Sequence, residues 1–330
     1  MHATLRKFSS GPLLALLATA VVFTSSGPAC AQSNTRSFQM ALWGFPSPAI
    51  PGSADTDIAV FWGSQTQPAG RPSIWVQGPV ATSLPDSNSM DWSLIVAVEF
   101  DEPYSAIDGG MNPCLYIGEA DPGPLVTVNR VDQQLAAREA ELEARNPKAR
   151  FWVNFTSVEL GWMQESDCPL ALNKPYIDVI SEDVYYMSFD RIQSDYTWLA
   201  ANPAKPDQQL ALIPGTFYRS GQDNPATQAS YVQSYFPYAN AMNQSCNLPL
   251  ADRGVTGYFD GCPVWIVLGF LSGDFTDGNT QYVGELDPTS APIAAAWHPE
   301  FALPLRPGLA NQLTPGQIVT AIILPLLLNH

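Results

Sequence analysis

Short runs of apolar, β-branched residues recur along this chain, each closed by proline, glycine or an acid. That rhythm limits the folds open to it. Residues 38–45, 58–62, 73–76, 94–98, 151–158, 176–181, 209–213 and 263–269 all read this way. Runs apolar on both faces suit strands that are covered on both sides. Between the later runs lie helical patterns. In 131–145, Val131, Leu135 and Leu142 fall one and two turns apart among good helix formers. Residues 192–201 and 226–242 follow, the second with Pro237 placed to interrupt it. Strand–connection–strand units with covered strands argue for a parallel sheet wrapped by helices. About five to seven strands over roughly 250 residues favour an eight-stranded β/α barrel of the TIM type, irregular or incompletely closed. An open doubly wound sheet is second, because no Gly-x-Gly-x-x-Gly follows the first run.

The ends of the chain differ in character from this core. Residues 1–31 read as a secretory leader: Arg6 and Lys7 precede an apolar stretch too short to span a bilayer, and Ala29-Cys30-Ala31 offers a small-residue cleavage site. A secreted or periplasmic protein, cleaved after Ala31, is expected. Residues 32–290 would form the barrel and 291–330 a segment packed on it. The apolar run 318–328 reads as a closing helix, with membrane contact through this tail as the alternative. Cys114, Cys168, Cys246 and Cys262 suit disulfides in an oxidising compartment. Their sequence order suggests Cys246 with Cys262 and Cys114 with Cys168, among the three pairings four cysteines allow.

Loss of Arg6 and Lys7 with the leader would shift the formal charge from −16 to −18. So acidic a chain is repelled by phosphate backbones, which excludes a nucleic-acid partner and suits neutral or cationic ligands. Of three histidines, only His298 and His330 follow the leader, and no Gly-x-Ser-x-Gly, Cys-x-x-Cys or P-loop is present. Nucleophilic triads, multi-histidine zinc sites and nucleotide sites therefore have no basis, and neither a metal nor a cofactor is implied. Residues 274–279 carry oxygen ligands without EF-hand spacing and read as a turn.

Carboxylates and aromatics remain. Nine tryptophans and twelve tyrosines suit the flat apolar faces of sugars, although most belong in a core. Trp43, Tyr104, Tyr185 and Tyr218 fall near strand ends and are the candidates for contact. Strand parity orders the acids. Ala97, Glu99 and Asp101 form the less bulky face of their strand; Asn154 shares a face with Thr156, and Asp178 and Glu182 share one with Ile180. If these faces look into a barrel, acids gather at the carboxyl ends, where such folds place their chemistry. Two carboxyls in different environments are what glycoside hydrolysis uses. A solvated strand end, a structural network or a bound cation is the alternative.

The sequence Asp101-Glu-Pro-Tyr104 after a buried strand, followed later by Ile177-Asp-Val-Ile-Ser-Glu-Asp-Val-Tyr185, resembles secreted glycoside-hydrolase-type β/α barrels. The resemblance implies a carbohydrate substrate and an acid and its partner at strand ends. It points to Glu102 as proton donor and to Glu182 or Asp183 as nucleophile or base, with Asp101 beside them. Tyr104 and Tyr185 would position the sugar, and Trp43, Asn154, Asp178 and Tyr218 would complete its surroundings. No clear Asn-Glu pair ends the 151–158 strand; Glu159 stands there, behind Thr156-Ser157-Val158. About 5–10 Å between Glu102 and Glu182 or Asp183 across an open cleft is expected of an enzyme. Acids pointing apart, or a closed cleft, would suit a non-catalytic glycan-binding or envelope surface protein.

Overall fold

Eight parallel strands close on themselves in the computed structural model, which describes residues 36–38, 40–43, 58–62, 66–78, 80–105, 112–117, 123–165, 170–243, 264–269, 274–284 and 286–303. The strands are β1 (Met40–Trp43), β2 (Ile58–Trp62), β3 (Ser73–Gln77), β4 (Ile95–Asp101), β5 (Arg150–Phe155), β6 (Val179–Glu182), β7 (Gln209–Leu212) and β9 (Val264–Gly269). β1 pairs with β9 through Met40↔Ile266 to Trp43↔Gly269, so the barrel is complete. Each of the eight apolar runs in the sequence supplies one strand. The expectation of incomplete closure is corrected because the run at 263–269 is the eighth strand rather than an addition to seven. The proposed leader, the tail beyond 303, and Cys168, Cys246 and Cys262 lie outside the described residues, and the expected cysteine pairings lie there with them.

Two apolar layers form the core. The lumen is filled by small and branched side chains around Trp152 and Trp265, whose rings meet edge-on at 6.1 Å. Outside the strands, Val98, Phe100, Phe151, Val153, Ile180 and Leu212 pack against the helices. The helices are α1 (Gly123–Arg145), α2 (Ser157–Gln164), α3 (Phe189–Ala201), α4 (Pro225–Met242) and α5 (Ala291–Ala302). α1 begins eight residues before its predicted start, where Pro124 is tolerated because helix-start amides have no partner in the helix. α4 runs through Pro237 without a break. Its Val232, Tyr235, Phe236 and Ala239 are buried in the outer layer, and that packing outweighs the missing backbone bond. α5 packs against α4 and buries Ile293 and Trp297, tying the start of the 291–330 segment to the outer layer.

After β7 the chain makes β8 (Tyr218–Arg219), which joins β10 (Phe275–Asp277) and β11 (Thr280–Val283) in a small antiparallel sheet. The 274–279 segment is the turning half of the β10–β11 hairpin, with Gly278 at φ +54°. Because β8 leaves the carboxyl end of β7, this sheet stands at the mouth of the barrel.

Candidate active site at the mouth of the barrel

The parity expected of β4 and β5 is present. Ala97 faces the lumen and Val98 the helices, so Glu99 and Asp101 also face inward. On β5, Asn154 shares the inward face with Trp152. In the register, Glu99 lies opposite Trp152, Asp101 opposite Asn154, and Asn154 opposite Ser181 of β6.

β6 has the opposite parity from the one expected. Val179 belongs to the lumen layer and Ile180 to the outer one, so Ser181 and Asp183 point inward. Asp178 and Glu182 point outward. Both Val179 and Ile180 are apolar, so alternation gave no contrast between the two faces. Asp178 accepts from the Phe151 amide at 2.7 Å and is paired with Lys205 and Arg150 at the amino ends of the strands, far from the mouth. It is a structural anchor and not a sugar ligand. Glu182 is 2% exposed and accepts from Ser157 Oγ of α2 at 2.7 Å, so it is corrected from catalytic partner to a buried outer-layer acid.

Burial pushes the Glu182 carboxyl up to about 7, with the charges of Asp195 and Asp183 adding and the Ser157 bond opposing. A buried acid of raised pKa favours the folded state while protonated. That contribution is whole below the ordinary glutamate value and is lost as pH rises to about 7 and beyond. Glu182→Gln, which keeps the protonated shape, is therefore expected to melt above wild type at pH 8, by roughly 2–3 kcal/mol, and level with it at pH 4. Equal melting at both pH values would count against this burial.

Two further candidates are also structural. Glu159 is fully buried. Its Oε2 accepts from the Thr156 amide at 2.8 Å, completing a capping box at the start of α2, and its Oε1 accepts from the Tyr104 amide at 2.9 Å. Tyr104 is fully buried, stacked on Phe155 at 6.2 Å, and donates its hydroxyl to Asp132 of α1. Neither side chain reaches the mouth. Tyr218 is 8% exposed and its hydroxyl bonds Thr289 Oγ1 at 2.6 Å, so it fastens the small sheet rather than a ligand. Trp43 ends β1 beside Gly269, and its side chain lies outside the described residues.

Asp101, Glu102, Asp183 and Tyr185 do come together. At Glu102 the backbone takes φ +42°, and among the described residues it is the one non-glycine in the left-handed region. Such a conformation costs about 1–3 kcal/mol and is held here by the Glu102 amide on Asn154 O at 2.9 Å and the Ser105 amide on Glu102 O at 3.0 Å. Its consequence is that Asp101 and Glu102, adjacent in sequence, both serve the lumen side instead of opposite faces. Asp183 interacts with the Glu102 carboxyl and with Tyr185, each favouring its ionised form.

One amide orders the group. Trp152 Nε1 donates to Ser181 Oγ at 2.8 Å, and an indole can only donate. The serine proton therefore goes to Asn154 Oδ1, at 2.6 Å. The Asn154 nitrogen is left facing the acids, at 2.8 Å from Asp101 Oδ1 and 3.3 Å from Asp183 Oδ1. Burial, and then the charge of Asp183, push Asp101 up to about 6 against the Asn154 bond. Burial also raises Asp183, against bonds from Tyr185, Glu102 and Asn154. Beneath them Glu99, fully buried, is held well above the glutamate range by burial and then by Asp101, Asp183 and Glu102. The described residues contain no group of three or more acids, histidines or cysteines arranged to hold a metal ion.

An aromatic row that single-strand reasoning missed leads to these acids. Phe275, 54% exposed, meets Tyr282 at 6.0 Å; Tyr282 meets Phe217 at 6.1 Å; Phe217 meets Tyr185 at 5.4 Å and Tyr186 at 5.6 Å. Arg219 lies 4.0 Å over the Tyr186 ring. The row joins β10, β11, the β7–β8 link and the segment after β6, so no single stretch of sequence announces it.

No protein-family model and no curated protein matches the sequence. Among solved structures, the Ignisphaera aggregans GH53 catalytic domain is similar at a TM-score of 0.32 and 11% identity, over 62% of this chain and 75% of that one. That is a weak glycoside-hydrolase-like barrel resemblance.

Proposed function

We propose that this chain is a secreted or periplasmic glycoside-hydrolase-like protein that acts on a poly- or oligosaccharide at the mouth of its barrel. The observation that carries this reading is the meeting of Asp101, Glu102 and Asp183 at the carboxyl ends of β4 and β6. Glu102, which interacts with Asp183, is the acid that protonates the leaving glycosidic oxygen. Asp183, kept in place by Tyr185 and Asn154, attacks the anomeric carbon or activates water. Asp101 supplies negative charge beside a developing oxocarbenium ion. The row from Phe275 to Tyr185 offers ring faces on which successive sugars stack.

One observation favours the second reading, a non-catalytic glycan-binding or surface protein. Glu102 and Asp183 are in hydrogen-bond contact, closer than the roughly 5–5.5 Å of retaining pairs or the 6.5–9.5 Å of inverting ones. Catalysis requires the sugar to part them, and the strained Glu102 is the side that would yield. Hydrolysis of a polysaccharide panel separates the two. Glu102→Gln and Asp183→Asn are each expected to lose about 10²-fold in rate while still binding glycan. Wild-type rates in Glu102→Gln would remove it as the acid. Glycan binding with no turnover by the wild-type protein would establish the second reading.

A further inference from the structure

Glu99 is the most demanding group in the barrel. It is 0% exposed, and neither carboxyl oxygen has a hydrogen-bond partner. It faces the lumen on the same side of β4 as Asp101, two residues nearer the mouth, and it is electrostatically coupled to Asp101, Glu102 and Asp183. An acid buried this way is costly when ionised unless something of opposite charge meets it. Among the described residues no lysine, arginine or histidine pairs with Glu99, Asp101 or Asp183. Arg219, on the mouth side, is bound twice to Asp223 at 2.8 Å. Lys205 and Arg150 are held by Asp178 at the other end. The carboxyls also do not converge as a metal shell would.

We propose that the sugar taken at this site carries a free, protonated amine, with its ammonium group set against Asp101 and Asp183 and Glu99 lying beneath them. This rests on the carbohydrate reading and narrows it to deacetylated amino sugars. An ammonium group donates hydrogen bonds to carboxylates and supplies a positive charge that no described side chain brings to these acids. An N-acetyl group or a hydroxyl at the same carbon brings no charge and offers Asp101 and Asp183 no cation to pair with. An approaching ammonium would oppose the burial and neighbouring acids that raise Asp101 and Glu99, because a cation favours the ionised form. The net charge of −16 would also draw such a polymer toward the protein.

Matched polymers test this: poly-glucosamine and poly-galactosamine with free amines, the same samples after chemical N-acetylation, and a panel of neutral polysaccharides. Wild-type protein is expected to bind a free-amine polymer about tenfold or more tighter than its acetylated match, with the gap narrowing in high salt. Glu99→Gln, which keeps the shape of the protonated side chain, and Asp101→Asn should each narrow the gap at fixed salt. Equal or tighter binding of acetylated or neutral polymers overturns the proposal and leaves the carbohydrate reading standing. A preference that both variants keep in full also overturns it, because the attraction would then belong to the acidic surface at large. Failure to bind any polysaccharide removes the carbohydrate reading itself.

Discussion

Glu159→Ala is expected to destabilise the protein by about 4 kcal/mol, lowering the melting temperature by roughly 10 °C, and to weaken the site although Glu159 never touches it. The fully buried carboxyl satisfies two amides from different segments: Thr156, which starts α2, and Tyr104, in the turn after β4. Alanine leaves the buried Tyr104 N–H and the part-buried Thr156 N–H without an acceptor, at about 1–3 kcal/mol each, and removes half of a capping box. The Tyr104 amide lies two residues from Glu102, whose left-handed backbone depends on a tightly bonded turn. Releasing that amide lets Glu102 relax toward ordinary φ, which turns its carboxyl away from Asp183. Glu159→Gln keeps an acceptor oxygen and should fall between alanine and wild type. Thermal melting, with glycan binding or hydrolysis on the same samples, checks both parts. Wild-type stability in Glu159→Ala would refute the double-acceptor role.

The sequence carried more of this than alternation alone could use. Every barrel strand was visible as an apolar run, because parallel strands covered on both faces need no alternation to be recognised. The same uniformity hid which face looked inward. In β4 the polar Glu99 and Asp101 alternate with bulky Val98 and Phe100, and the parity was legible. In β6, Val179 and Ile180 are both apolar, and Glu182 and Asp183 are adjacent acids, so a shift of one residue exchanged the buried outer acid for the lumen one. The end of β5 was legible by a different rule. Thr156 followed three residues later by Glu159 is a capping-box pattern, and reading it would have started α2 at once and removed Glu159 from the catalytic candidates.

The site depended on non-local features. Asp101, Glu102 and Asp183 were each nameable from strand ends, but their contact required the positive φ at Glu102, which neither Glu nor the following Pro103 signals. The aromatic row required knowing that β8, β10 and β11 pair over the mouth, and those strands are too short to have an apolar signature. Tyr104 looked like a ligand because it follows Pro103 at a strand end. Its hydroxyl instead turns out to Asp132 of α1 once the chain has left the barrel.

Gly215→Ala is expected to destabilise by about 3 kcal/mol and to lower carbohydrate binding or turnover by about tenfold or more, without altering a single acid. Tyr185 is wedged against two glycines. A methyl at Gly215 would lie 2.8 Å from Tyr185 Cβ and 2.9 Å from its carbonyl oxygen; one at Gly269 would lie 2.9 Å from the ring at Cδ1 and Cε1. The glycines bridge each other across β7 and β9, and Gln228 of α4 donates to both Tyr185 O and Gly215 O at 2.7 Å. At Gly215 the obstruction is backbone, so the segment after β6 has to move away, taking Asp183 with it. At Gly269 the obstruction is the ring, which can tilt, so Gly269→Ala should cost less stability while still loosening the tyrosine from Asp183. Tyr185→Phe gives the third comparison: it keeps the packing and removes only the hydroxyl bond, worth about 1 kcal/mol. The expected order of stability loss is Gly215→Ala, then Gly269→Ala, then Tyr185→Phe, with all three impairing the site. If Gly215→Ala melted and bound like wild type, the close packing that holds Tyr185 on Asp183 would have no part in the function.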